Sequence, residues 1–283
     1  ITTLHTVLQS PAAAQLAVLK RIAQLSDRLV VMSRRAQQIL HDVYSISPDK
    51  IVMIHHGIPD MPFVDPNYYK DQFGVEGRKV ILTFGLLSPG KGIETMIDAL
   101  PDVVKKNPEA VYIILGATHP HVKRDQGESY RLSLQQRGAE WGVADHLMFH
   151  NRYVDLTELC EFLGAADVYV TPYLNKDQIV SGTLAYALGT GKAVVSTPYW
   201  YAEEMLGEDR GRIVPFKNPY ALAEQVNELF ARETERHAMR KRAYTFCRKM
   251  VWKQVAHRYL EVFAEVKKDR ESRPRAIFRT KTI

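Results

Sequence analysis

Short apolar runs alternate with longer amphipathic stretches along almost the whole chain. A strand buried on both faces reads as a continuous apolar run, and its parallel neighbour is reached only through a crossover, usually a helix. The pattern therefore predicts an α/β chain built on doubly wound, Rossmann-like parallel sheet. Strands are expected at Lys79–Phe84, Ala110–Leu115, His146–His150, Asp167–Thr171, Ala193–Ser196 and Arg212–Val214. Helices are expected near 91–106, 126–141, 155–165, 182–189, 200–206 and 219–232, followed by one long helix over Glu233–Lys267. Six strands with their crossovers complete a doubly wound domain. Ahead of them, strands at 1–5, 28–32 and 50–55 and helices near 11–25 and 33–44 look like the last part of another. Gly57–Asp60 interrupts the alternation, and the turn-rich stretch to Gly77 reads as a linker. The chain opens on Ile1, inside a strand-like run, so upstream sequence is expected.

A chain of 283 residues, 46% hydrophobic and 25% charged, can bury a large core. No apolar run approaches the roughly 20 residues of a membrane helix, and no basic head with an apolar block marks a signal peptide. Cys160 and Cys247 make no disulfide framework, which points to a reducing cytoplasm. Of the net charge of +6, the stretch Lys267–Ile283 holds +5. It reads as a solvated basic tail over 268–283, suited to peripheral contact with an anionic membrane surface. Without a basic–aromatic module, nucleic-acid binding is not expected.

Two segments carry candidate chemistry. In Gln178–Thr197 a polar turn, Ser181-Gly182-Thr183, opens a short helix closed by Gly189 and Gly191. Its N-terminus would face the loop side of a parallel sheet with unpaired N–H groups and two hydroxyls. That suits a phosphate, or simply a Ser N-cap in an ordinary αβ unit. The turn Phe84–Gly92 lacks the GxGxxG spacing of a dinucleotide site. Gly85 and Gly90 have the gap of a GxxxxGK[ST] loop and Lys91 follows, but Gly92 stands where Ser or Thr would hold magnesium. What remains is a loop that presents one lysine at a helix start, facing either a diphosphate or solvent.

Taken together, His56-Gly57-Ile58-Pro59-Asp60, the strand with Gly85–Gly92, Ala166–Pro172 and Gly182–Thr197 resemble a retaining glycosyltransferase of family 4, with the GT-B fold of two Rossmann-like domains. The resemblance covers the chain to about Lys267. It implies that 1–60 is the last part of an acceptor domain and 61–250 a donor domain for a nucleotide-sugar. A helix over 251–267 would cross back to the first domain. It further implies that His5 reaches the transferred sugar and that Lys91 contacts the donor pyrophosphate. Where the family places an arginine after Gly85, this chain has Leu86; Arg124 is the candidate replacement. Two family glutamates, one for the sugar and one for the ribose, fall on Gln178 and Tyr186. Gln178 can still bond sugar hydroxyls, and Tyr186 can reach a ribose hydroxyl. Tyr199 is expected to pack against a sugar face, Glu204 to lie near the cleft, and the base to sit near Asn151-Arg152-Tyr153. His119 and His121 have the spacing of a metal pair but read as loop histidines, and no metal or cofactor is expected.

The expected function is thus retaining transfer from a nucleotide-diphosphate sugar to a saccharide or lipid-linked acceptor. The rivals are a non-catalytic nucleotide-sugar-binding or scaffolding subunit and a sugar-nucleotide epimerase on the same architecture.

Overall fold

A computed structural model describes residues 1–272. They form two compact units, Ile1–His55 with Lys253 onward, and His56–Trp252. In the first, β1 (Thr2–Thr3), α1 (Ala13–Leu25), β2 (Leu29–Val31), α2 (Arg34–Asp42) and β3 (Ile51–Met53) follow one another. The three strands pair in parallel in that order. Ser33 starts α2 as anticipated, its hydroxyl accepting from the Ala36 N–H at 3.3 Å.

The second unit runs β4 (Lys79–Phe84), α3 (Ile93–Lys106), β5 (Ala110–Leu115), α4 (Pro120–Gln126), α5 (Ser129–Glu140), β6 (Leu147–His150), α6 (Leu156–Ala165), β7 (Val168–Thr171), α7 (Gly182–Gly189), β8 (Ala193–Ser196), α8 (Trp200–Leu206), β9 (Arg212–Ile213), α9 (Pro219–Ala231) and α10 (Glu233–Cys247). All six strands are parallel, in the order β6-β5-β4-β7-β8-β9. Alternate residues of β4 serve opposite faces. Val80 and Leu82 join one core with Phe162, Leu184 and Tyr201, while Ile81 joins the other with Ile97, Tyr112 and Leu222. The last helix, α11 (Trp252–Ser272), sends Val255 and Val262 into a small core with Val30 and Ile54 of the first unit.

Buried cations tie down the amino ends of the central strands. Lys70 Nζ pairs with Asp167 at 2.8 Å, and Asp167 also accepts from the Val80 N–H at 2.8 Å. Lys192, fully buried, donates to the carbonyls of Gly164 and Ala166 at 2.9 and 3.3 Å, at the carboxyl end of α6. Burial pushes its ammonium well below the usual lysine range.

Three expectations change. The stretch from Asp60 to Gly77 is no loose linker: Phe73 stacks on Phe162 at 3.8 Å, and Tyr69 lies against Gly164. The helix expected near 126–141 begins earlier as α4 and is split by Gly127, whose φ is +62°. The single helix over Glu233–Lys267 breaks at Arg248–Val251. There Ile58 N–H donates to Met250 O at 2.9 Å and Trp252 N–H to Ile58 O at 3.0 Å, so the chain pairs with a strand-like neighbour instead of continuing its own turns. Ile58 itself lies in the core of the second unit. Of the basic tail, Lys268 and Arg270 lie in α11, and Arg270 pairs with Asp27 at 2.5 Å; residues 273–283 lie outside the described residues.

Candidate functional site at the sheet switch point

Strand order reverses between β4 and β7, and the loops leaving their carboxyl ends diverge there. The first of these loops is fixed by glycines that nothing larger could replace. Gly116, at φ +140°, lies so close to the end of β4 that a Cβ would stand 2.1 Å from the Gly85 carbonyl oxygen. The loop then makes one 3-10 turn, Pro89–Lys91, and Gly92 ends it in the left-handed region at φ +62°. A Cβ on Gly92 would stand 2.1 Å from the Pro172 carbonyl oxygen, and Leu174 N–H donates to Gly90 O at 3.0 Å. The lysine loop is therefore laid directly on the segment leaving β7.

This contact places Lys91 Nζ 4.0 Å over the ring centroid of Tyr173. Burial lowers its ammonium to about 8. The Tyr173 hydroxyl lies 2.7 Å from Thr183 Oγ1, which lies 3.0 Å from Ser181 Oγ. Ser181 caps α7 by accepting from the Leu184 N–H at 3.2 Å. A Cβ added at Gly85 would stand 3.4 Å from the Thr183 methyl, an ordinary van der Waals contact. On the flank of the helix, the His56 ring fills the space a Gly182 side chain would need, with Nε2 2.9 Å from its ideal Cβ position. His56 Nδ1 lies 2.7 Å from the Gly57 carbonyl. Ser181→Ala is expected to cost about 1 kcal/mol of folding stability through the lost cap. Chemical denaturation, with Ser181→Asn as the retaining control, checks this.

Beside Gly85 opens a pocket of about 190 Å³ walled by Phe84, Leu115, Val154 and Leu159, with Tyr153 at its edge, 86% exposed. Arg152, next to it, forms a two-pronged ion pair with Glu158, one bond at 2.7 Å. That pairing holds the Glu158 carboxyl below the usual carboxylate range.

Of the residues singled out in the sequence, Gly85, Lys91, Ser181, Gly182 and Thr183 come together here, and Tyr153 borders the adjoining pocket. The others have their own settings within their units. Tyr199, expected against a sugar face, is fully buried and stacked on Tyr173 at 5.4 Å, because at the N-cap of α8 it joins the core with Tyr201 and Ala202. Arg124 is on the exposed side of α4, paired with neighbouring Asp125 at 2.8 Å. Gln178 donates one of its two amide N–H groups to the Val180 carbonyl at 3.0 Å. Tyr186 sits edge-on to His56, 6.0 Å between centroids, one turn along α7 from Gly182. Glu204 is half-buried in α8, its carbonyl accepting from Arg210 at 3.3 Å. His5 lies exposed in the first unit, just past β1. His119 caps α4 and stacks on His121 at 5.3 Å, and no metal-binding group of three occurs among the described residues. Reading the sequence alone gave no role to His56, quoted only within the motif of the resemblance, or to Tyr173, placed only on the loop side of the sheet. The available signal for His56 was its place beside the Gly-Ile-Pro break. For Tyr173 it was its place just after a strand, on the loop side, which says nothing of its contact with Lys91.

The family model for group 1 glycosyl transferases matches residues 66–246. The chain belongs to the group 1 glycosyl transferases. It is 26% identical over 216 residues to the phosphatidyl-myo-inositol mannosyltransferase of Mycolicibacterium smegmatis, covering 76% of this chain and 52% of that one. It is 24% identical over 266 residues to the D-inositol 3-phosphate glycosyltransferase of Xylanimonas cellulosilytica, covering 90% of this chain and 60% of that one. This glycosyl transferase therefore spans just over half the length of the curated relatives it matches. Its fold matches that of HepE from Anabaena, solved with UDP and glucose, at a TM-score of 0.77 and 19% identity, covering 93% of this chain and 71% of that one. The fold is the GT-B α/β fold of glycosyltransferases. Among the described residues of this glycosyl transferase, no helix is long and apolar enough to cross a membrane.

Proposed function

We propose that the second unit binds a nucleotide-diphosphate sugar at the switch point, as donor for transfer to a saccharide or lipid-linked acceptor with retention of configuration, in the manner of family 4. One observation carries this reading: the half-buried ammonium of Lys91 rests on Tyr173, whose hydroxyl bonds Thr183 at the capped start of α7, beside an apolar pocket. The first turn of a helix presents N–H groups and a partial positive charge, and a diphosphate matches both. As the sugar leaves, negative charge grows on the β-phosphate. Groups already aimed at it stabilise that charge without reorganising. Lys91 and the N–H groups at Ser181–Thr183 take this role, and no divalent ion is invoked. The apolar walls with Tyr153 suit a flat base, held by stacking and backbone contacts. UDP in HepE, and the mannosyl and inositol substrates named for the relatives, point the same way.

One observation favours a second reading, a nucleotide-sugar-binding subunit without transfer activity. The positions where the resemblance puts carboxylates hold Gln178, already bonded to a backbone carbonyl, and Tyr186, packed on His56. A thermal-unfolding panel of UDP-, GDP- and ADP-sugars separates the cases. A ligand at about a hundred times its Kd stabilises the folded state by about 2.7 kcal/mol, which raises Tm by roughly 5–10 °C in a unit of this size. One nucleotide class is expected to do so. No shift with any of them at millimolar concentration removes the donor site. A shift without nucleotide release in the presence of glycolipid acceptors, measured on a chain that spans the relatives' full length, selects the binding subunit.

A further inference from the structure

Tyr173 touches both anion-facing elements of the site. The Lys91 ammonium rests on its ring face at 4.0 Å, and its hydroxyl bonds to Thr183 Oγ1 at 2.7 Å. Its ring also stacks on Tyr199 at 5.4 Å with the planes 19° apart, and it is 1% exposed. The backbone on either side is clamped to the lysine loop, Pro172 O against Gly92 and Leu174 N–H on Gly90 O. Ring, hydroxyl and main chain are thus all fixed.

We infer that Tyr173 is a positioning residue for diphosphate recognition: its ring face sets where the Lys91 ammonium stands, and its hydroxyl sets the orientation of the Thr183 hydroxyl. This deepens the proposed donor site and rests on that reading. A lysine has a long, freely rotating stem, and without a local partner its ammonium drifts into water. A desolvated aromatic face attracts a cation and holds it at one height. A threonine hydroxyl likewise turns freely until a neighbour fixes it. Packing alone explains a ring at this position but not the phenol oxygen, because phenylalanine fills the same space. Burial raises the phenol to about 12, so it keeps its proton and can bond Thr183 across the working pH range.

The test uses Tyr173→Phe and Tyr173→Leu, each also combined with Thr183→Val and Lys91→Met. Nuclear magnetic resonance reads the ring-current shift of the Lys91 side chain in the unliganded protein. Calorimetry reads UDP, GDP and ADP binding. Tyr173→Phe should keep the ring-current shift and weaken the preferred nucleotide about threefold, a loss that vanishes in the Thr183→Val background. Tyr173→Leu should abolish the shift and weaken binding about tenfold, a loss that vanishes in the Lys91→Met background. Losses that simply add in the double variants overturn the inference, because Tyr173 then only fills space. So does wild-type protein without a ring-current shift at Lys91. If Tyr173→Leu does not fold, the cycle of Tyr173→Phe with Thr183→Val decides alone. Wild-type protein that shows the shift but binds none of the three nucleotides sinks the donor-site reading itself, and the inference with it.

Discussion

Lys91→Met is expected to weaken nucleoside-diphosphate binding by about 1.5–3 kcal/mol, roughly 10- to 150-fold. Methionine keeps the stem's packing over Tyr173 and removes only the charge, so the loss measures the ammonium against a diphosphate. The wild-type protein should also show a pH signature. Burial lowers the free amine to about 8 in the folded protein, below the usual lysine value near 10.5. Below pH 8 the amine is charged in free and bound protein, and affinity is full. Above pH 8 the free protein has lost its proton while a bound diphosphate still favours the charged form. Binding must then take up a proton, and affinity falls as pH rises. A UDP-sugar is the right probe, because its diphosphate carries no ionisation of its own in this range. Calorimetry of wild type from pH 7 to about 8.5, below the ionisation of the uracil N3–H, should show the decline, and Lys91→Met should bind weakly and evenly across it. Equal affinity of the two proteins at pH 7 takes Lys91 out of the site. The same burial has the opposite effect on folding. The unfolded chain holds the proton up to about 10.5, so this group's penalty is full below pH 8 and is relieved as pH climbs from there.

Gly92→Ala is expected to destabilise the second unit by about 2–4 kcal/mol, a fall in Tm of roughly 5–15 °C. Two costs add. Alanine at φ +62° carries about 1 kcal/mol of left-handed strain. Its Cβ would also stand 2.1 Å from the Pro172 carbonyl oxygen, a backbone atom that cannot swing aside like a side chain. To relieve the contact the loop must lift off the end of β7, carrying Lys91 from Tyr173. The variant should therefore lose nucleotide affinity along with stability. A variant that unfolds at the wild-type temperature would show that the loop is not seated on Pro172. Gly90→Ala is the control, since its added methyl meets open space.

The doubly wound order of the second unit was readable because each strand is a continuous apolar run whose neighbours are dictated by crossovers. Val80, Ile81 and Leu82 announce a strand covered on both sides, and both cores are found. Lys91 and Ser181–Thr183 were readable as a pair because each opens a helix beyond the carboxyl end of a strand flanking the switch point, where the diverging loops leave a crevice. Tyr199 was misread because an aromatic after a strand and a proline looks the same whether its ring turns outward or inward, and only α8 packed above it decides. The break between α10 and α11 was invisible because helical periodicity runs through Arg248–Val251. The partner that breaks it, Ile58, lies almost two hundred positions away along the chain, a distance no local pattern reports. Gly182 reads as a cap neighbour in sequence. In space its missing side chain makes room for His56.

The hydrogen bonds joining Ile58 to Met250 and Trp252 mean that chain enters and leaves the second unit at one spot. A body whose two ends lie side by side can be lifted out of one polypeptide and spliced into a surface turn of another without stretching either. Residues 56–252 thus have the geometry of a cassette, with ends placed to be joined tip to tail and the chain opened elsewhere.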